Sequence, residues 1–113
     1  MDNLEDREID EEIKKINPNL DIIERDLGII GNDIRFKILK FLYNSNGKIN
    51  FNQISEKLGI DRSKLAYHLP ILRESNLIIN ESSIEQRAGK KFSFYSISPK
   101  GKKYFNVFYK MAV

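Results

Sequence analysis

Arg62, Ser63, Lys64, Tyr67 and His68 crowd cationic, hydroxyl and aromatic side chains into one short stretch of the chain. They offer guanidinium, ammonium, hydroxyl, phenol and imidazole groups, the set that hydrogen-bonds phosphate oxygens and the edges of bases. A second basic group, Arg87, Lys90 and Lys91, lies in EQRAGKK at residues 85–91, which contains one glycine and has the composition of a turn. Catalytic chemistry is harder to assemble. The single histidine, His68, has no nucleophile near it in sequence, and no Gly-rich phosphate loop, Ser/His/Asp set or paired carboxylates can be put together. The chain is therefore not expected to be an enzyme. With no cysteine and one histidine it also lacks the two or more His or Cys ligands that a transition-metal site needs, so no metal and no other cofactor is expected.

The elements that must carry the first group lie between Ile49 and Ile79. Asn50 followed by Gln53 is an Asn variant of the capping box. Phe51, Ile54 and Leu58 then fall on one helical face, and Gly59 suits the left-handed position that ends such a helix. Ile60 plugs the angle, and Asp61 restarts the chain as an N-cap. The spacing predicts a second helix from about Arg62 to Ser75, with Leu65, Leu69 and Leu72 buried and Ala66 small enough for close packing. Arg62, Ser63, Lys64, Tyr67 and His68 then face outward near its N-terminal end, as in a helix that enters a DNA major groove. For His68 two roles stay open: a hydrogen bond to a base or phosphate, or packing between helices. Pro70 removes one backbone bond and is expected to kink this helix.

On either side, LIINESSI and KFSFYSI are two strands flanking the basic turn, with Phe92, Phe94 or Tyr95, and Ile97 in alternation. The hairpin tip, Arg87, Lys90 and Lys91, is placed to straddle a nucleic-acid backbone or enter a minor groove; a solvated basic loop is the alternative. Upstream, Asn32 caps a helix over Asp33–Tyr43, whose core stripe is Ile34, Ile38, Leu39 and Leu42, supplemented by Phe36 and Phe41. Arg35 on this helix either touches a phosphate or forms an ion pair between helices. Downstream, Ser98 and Pro99 open a terminal helix, which Gly101 weakens slightly. Tyr104, Phe105, Phe108, Tyr109 and Met111 give it a broad aromatic face, expected to pack against a second copy. Folding back on the chain's own N-terminal helix is the alternative.

Residues 31–101 resemble the winged helix-turn-helix of archaeal and bacterial regulators of the ArsR and MarR type. IGNDIRFKILKFL resembles the family's opening helix, with an Arg before an Ile-Leu pair. LAYHLPILRESNLI resembles the recognition helix and its exit into the wing. ISPKGKKYF resembles the Thr-Pro-Lys-Gly start of the MarR-type terminal helix, with Ser98 in place of Thr. The resemblance covers about two-thirds of the chain. It implies an α+β fold, mainly α with a small β-hairpin, and dimerisation through terminal helices. Metal sensing, found in part of the family, is not supported by the ligands present.

The net charge of +3 conceals an asymmetry, because residues 1–26 carry ten acidic and four basic groups and residues 27–113 carry six acidic and fifteen basic. A basic body suits a polyanion. The expected organisation is an acidic, partly helical extension over 1–17, a winged helix-turn-helix domain over 18–98 and a terminal dimerisation helix over 99–113. Ile9, Ile13 and Ile16 share a helical face before Asn17-Pro18-Asn19 breaks it, and Leu20, Ile23 and Leu27 resume the spacing. The acidic run is a solvated surface, or a competitor of DNA for the basic face. No 18-residue apolar run predicts a membrane span, and the absence of cysteine and of a signal-type leader fits a cytoplasmic, nucleoid-associated protein.

The expectation is a dimeric transcription regulator bound to double-stranded DNA, with helix 62–75 in the major groove and wing 85–91 on the flanking backbone. The competing expectations are a sequence-tolerant architectural DNA-binding protein and a winged helix used for protein contacts. The polar outward face of the second helix counts against the last. The operator and any effector are not legible.

Overall fold

The first described helix, α1 (Leu20–Ile30), ends at Gly31, and Asn32 then begins α2 (Asp33–Tyr43). The Asn32 carboxamide oxygen accepts from the backbone N–H groups of Ile34 (3.0 Å) and Arg35 (3.1 Å), two of the donors a helix start leaves unpaired. The computed structural model describes residues 19–85 and 90–113, with backbone alone at 83–85 and 90–92. The expectations for the acidic extension over residues 1–17 and for Arg87 lie outside the described residues.

After α2 come β1 (Ile49–Asn50), α3 (Phe51–Leu58), α4 (Arg62–Glu74), β2 (Ile78–Glu85), β3 (Lys90–Ile97) and α5 (Pro99–Met111). The α3–α4 pair follows the local signals. The Asn50 side chain accepts from Gln53 N–H (2.8 Å), and the Gln53 side chain accepts from Asn50 N–H (2.9 Å), closing the capping box. Gly59 at φ 62° turns the chain, and Asp61 accepts from Ser63 N–H to start α4. At the far end of α4, Asn76 takes φ 59°, Leu77 N–H donates to Leu72 C=O and Asn76 N–H donates to Arg73 C=O. That is a Schellman turn with both of its apolar partners, Leu72 and Leu77, fully buried.

The sheet has order β1-β3-β2 and is antiparallel throughout. The hairpin register runs from Ile78 opposite Ile97 to Glu85 opposite Lys90. Lys90 and Lys91 therefore belong to β3 and not to the turn where the composition of EQRAGKK places them. Strand β1, only two residues long, closes the sheet against Tyr95 and Phe94 and was not expected from its sequence. Tyr95 packs on the core beside buried Ile97, which settles the alternation of β3 in favour of Tyr95.

One apolar core joins all of these elements. It contains Ile38, Leu39 and Leu42 of α2, Ile54 of α3, Leu65, Leu69 and Leu72 of α4, Leu77, Ile78 and Ile97 at the base of the hairpin, and Phe105 of α5. Phe105 corrects the sequence expectation. It is fully buried within its own chain, with ring centroids 5.1 Å from Phe36 and 5.7 Å from Tyr43, so it is not an interface residue. Burial of a Phe side chain contributes about 2–3 kcal/mol, which a lone terminal helix could not gain in water. Tyr104 is likewise turned inward, its hydroxyl donating to Asp26 (2.7 Å), and Tyr109 stacks on Tyr43 at 5.1 Å. Of these three, Tyr104 meets the first described helix α1, whereas Phe105 and Tyr109 meet α2, and Tyr109 stays 41% exposed.

Gly101 has a larger role than weakening its helix. A Cβ there would collide with the Leu77 carbonyl oxygen and stand 2.7 Å from Ile97 Cγ1. Ser98 caps α5 by accepting from Gly101 N–H (2.9 Å) while its own hydroxyl donates to Asn76 C=O (2.6 Å). The start of α5 is thereby pressed onto the end of α4.

Candidate nucleic-acid interface

The first turns of α4 place Arg62, Ser63, Lys64 and Tyr67 on the exposed surface, with Tyr67 65% exposed. An exposed phenol presents a flat ring face and a hydroxyl to the solvent at the start of this helix. Arg62 is held in place. Its guanidinium carbon lies 5.5 Å from the Phe51 ring centroid, a cation–π contact that leaves its outer donors available. The Ser63 hydroxyl donates to the capping carboxylate of Asp61 (3.1 Å), so it keeps its lone pairs for an incoming donor. Ala66 is exposed as well, beside these groups, and does not serve the close packing expected of it.

His68 does not join this face. It is 7% exposed, and its Nδ1 accepts from Arg35 Nη1 at 3.1 Å. The choice between a base contact and helix packing therefore goes to packing. The signal was present in the spacing: Leu65, His68, Leu69 and Leu72 are the i, i+3, i+4, i+7 positions of one buried stripe, with an imidazole at the second. Burial, followed by the neighbouring Arg35 charge, holds the imidazole below its usual titration range, so it is neutral at physiological pH.

Arg35 forms no ion pair among the described residues and spends its guanidinium on neutral partners. Its Nε donates to Ile29 C=O (2.7 Å) at the end of α1 and its Nη1 to His68. Lys37, also on α2, spends its ammonium on the Leu58 carbonyl at the end of α3 (2.9 Å). A second buried polar group escaped the sequence reasoning. Asp26 of α1 is fully buried, and its Oδ2 accepts from Tyr104 and lies 2.8 Å from Lys100 Nζ. Burial and the bond to Asp26 push the Tyr104 phenol up to about 12, keeping it a donor. No local pattern marks these pairings, because their members come from opposite ends of the chain.

Beside α4 the β2–β3 hairpin projects as the wing, with Lys90 and Lys91 in its outer backbone pairs. Lys48 and Glu81 form an exposed ion pair at its base (2.6 Å), worth less than about 1 kcal/mol. Pro70 sits inside α4, which continues through it to Glu74. Among the described residues no cluster of three or more His, Cys, Asp or Glu could hold a metal ion, and no helix is long and apolar enough to cross a membrane.

A family profile described as a winged helix DNA-binding domain matches residues 34–111. Among solved structures the chain is similar to reduced HlyU from Vibrio cholerae N16961 at 21% identity and TM-score 0.69, over 87% of this chain and 96% of that one. It is similar to the reduced form of the transcriptional regulator YodB from B. subtilis at 22% identity and TM-score 0.68, over 79% and 83% of the two chains. A third similar structure is the homodimeric winged helix-turn-helix DNA-binding domain of Mb0332 from Mycobacterium bovis, at 21% identity and TM-score 0.66 over 88% and 84%. At these identities the likeness establishes a shared fold. No curated protein matches the chain by sequence.

Proposed function

Because the chain belongs to the winged helix DNA-binding domain family, we propose that it is a dimeric transcription regulator that sets α4 in the major groove of double-stranded DNA and its wing on the flanking backbone. The observation that carries this reading is the exposed N-terminal face of α4, where Arg62, Ser63, Lys64 and Tyr67 stand clear of the core beside the hairpin. Lys64, Ser63 and Tyr67 discriminate bases. Arg62 and the wing cations Arg87, Lys90 and Lys91 supply register and sequence-independent affinity. His68 contributes from behind this face and touches no DNA.

Dimerisation is supported by an apolar groove between α1 and α5. Ile22 (43% exposed), Ile23, Leu27, Val107 (50%) and Met111 (75%) line it, a contiguous apolar surface of the kind that marks a protein interface. In this reading Met111 keeps the interface role expected of it, Tyr104 and Phe108 also line the groove, Tyr109 lies away from it against Tyr43, and Phe105 is excluded. The transcriptional role is supported by the regulators that share the fold. No enzymatic step is part of the reading.

Titration of the chain into labelled duplex DNA over a range of salt tests it. Log affinity should fall linearly with log salt, with a slope set by the number of phosphates neutralised. A chain that leaves duplex DNA unbound at low salt would contradict the proposal.

A further inference from the structure

We propose that Arg35 and Lys100 are positioning residues of the DNA-reading surface, which tie the recognition helix α4 to α1 at two points and so fix the tilt at which Lys64 and Tyr67 are presented. The inference rests on the DNA-binding reading above. Arg35, on α2, donates to Ile29 C=O of α1 (2.7 Å) and to His68 Nδ1 of α4 (3.1 Å). Lys100, on α5, bonds the buried Asp26 carboxylate of α1 (2.8 Å) and donates to the Ser75 carbonyl at the end of α4 (3.0 Å). Two helices that share few direct contacts are thus joined through two cations carried by other elements.

The spacing matters. Ile29 and Asp26 lie one turn apart on α1, whereas His68 and Ser75 lie two turns apart on α4, about 10 Å along its axis. One attachment leaves a rod free to tilt, and two do not. The leucine stripe of α4 supplies burial, but apolar burial is non-directional and tolerates sliding, whereas a hydrogen bond to a guanidinium or ammonium fixes direction. Pro70 lies between the two attachment points. It lacks the N–H that would bond the Ala66 carbonyl, so α4 is held less firmly by its own backbone at that place. The tethers grip the helix on both sides of its weak turn. From His68 the path to the surface is one contact, because its ring meets Tyr67 edge-on at 5.0 Å.

The test compares the full-length chain with Arg35→Met, His68→Leu, His68→Gln and Lys100→Met on two duplexes, one selected from a random pool and one of random sequence, alongside thermal melting of each variant. Arg35→Met, His68→Leu and Lys100→Met should lower the ratio of selected to random affinity about tenfold, the value of one base contact, with little change on random DNA. His68→Gln should keep the ratio, because its amide oxygen can still accept from Arg35. Should Arg35→Met or Lys100→Met fail to melt cooperatively, His68→Leu carries the test, since leucine suits a buried helix stripe. An unchanged ratio in His68→Leu, or an equal loss on both duplexes, overturns the proposal; the latter would make these groups direct phosphate contacts or mere supports of the fold. Absence of binding to either duplex by the wild-type chain overturns the DNA-binding reading instead.

Discussion

Nη1 of Arg35 lies 3.1 Å from Nδ1 of His68. A guanidinium can only donate, so Nδ1 accepts and the ring proton sits on Nε2. A second proton would replace the acceptor with a donor that faces a cation. Burial and then the Arg35 charge accordingly lower the His68 pKa from 6.5 in the folded chain. The unfolded chain takes up that proton at its ordinary value, so the stability this pair contributes is complete above about pH 6.5 and is lost as pH falls from there to the lowered folded value. Urea unfolding at about pH 7.5 and about pH 5.5 checks this, the two conditions lying on either side of the ordinary imidazole value. Wild type should lose more stability on acidification than His68→Gln, and equal losses would show that the imidazole is not what titrates.

Gly101 gives a prediction in which two effects have opposite signs. Helix propensity alone would make Gly101→Ala stabilising by about 1 kcal/mol. The collision with Leu77 C=O and Ile97 predicts destabilisation by roughly 1–3 kcal/mol, because backbone cannot yield as a side-chain tip can. Denaturant midpoints of the two chains decide it, and a rise in the alanine variant would mean that α5 does not press on the end of α4.

The contrast between helix and wing should appear in the form of the loss and not only in its size. Tyr67→Ala and Lys64→Ala should change which sequences are preferred. Lys91→Ala should weaken binding on every sequence and reduce the salt slope by about one unit. Binding isotherms on matched duplexes at several salt concentrations separate the two patterns. A Tyr67→Ala chain that loses affinity equally on all DNA would remove Tyr67 from the reading face.

Much of this surface could be anticipated from short-range signals. The Asn50–Gln53 capping box, the turn at Gly59, and the caps at Asn32, Asp61 and Ser98 are set by residues within a few positions of one another, and each formed as the local chemistry demands. What escaped was set by distant partners. Tyr104 meets Asp26 across 78 positions, and Arg35 meets His68 across 33. Gly101 needs to be glycine only because Leu77 and Ile97 come to it. Phe105 belongs to an aromatic face when α5 is read alone, and only the distant Phe36 and Tyr43 rings of α2 that receive it make it core. His68 was the one misplacement that spacing alone could have prevented.

The groove between α1 and α5 predicts the assembly state. Ile22→Glu combined with Val107→Glu places charges on both of its walls, both already partly exposed, so each protomer should still fold. Sedimentation equilibrium should find the wild type as a dimer and this variant as a monomer, with reduced affinity for DNA that carries two half-sites. A variant that sediments like the wild type would move the interface elsewhere.

The most direct measurement of the central claim is selection of bound duplexes from a random DNA pool by the wild-type chain. A dimer that reads DNA through the exposed face of α4 should enrich a palindrome whose half-sites lie about one helical turn apart, roughly 10 base pairs. Recovery of a pool with no enriched sequence would contradict that claim and leave a protein that holds DNA by charge alone.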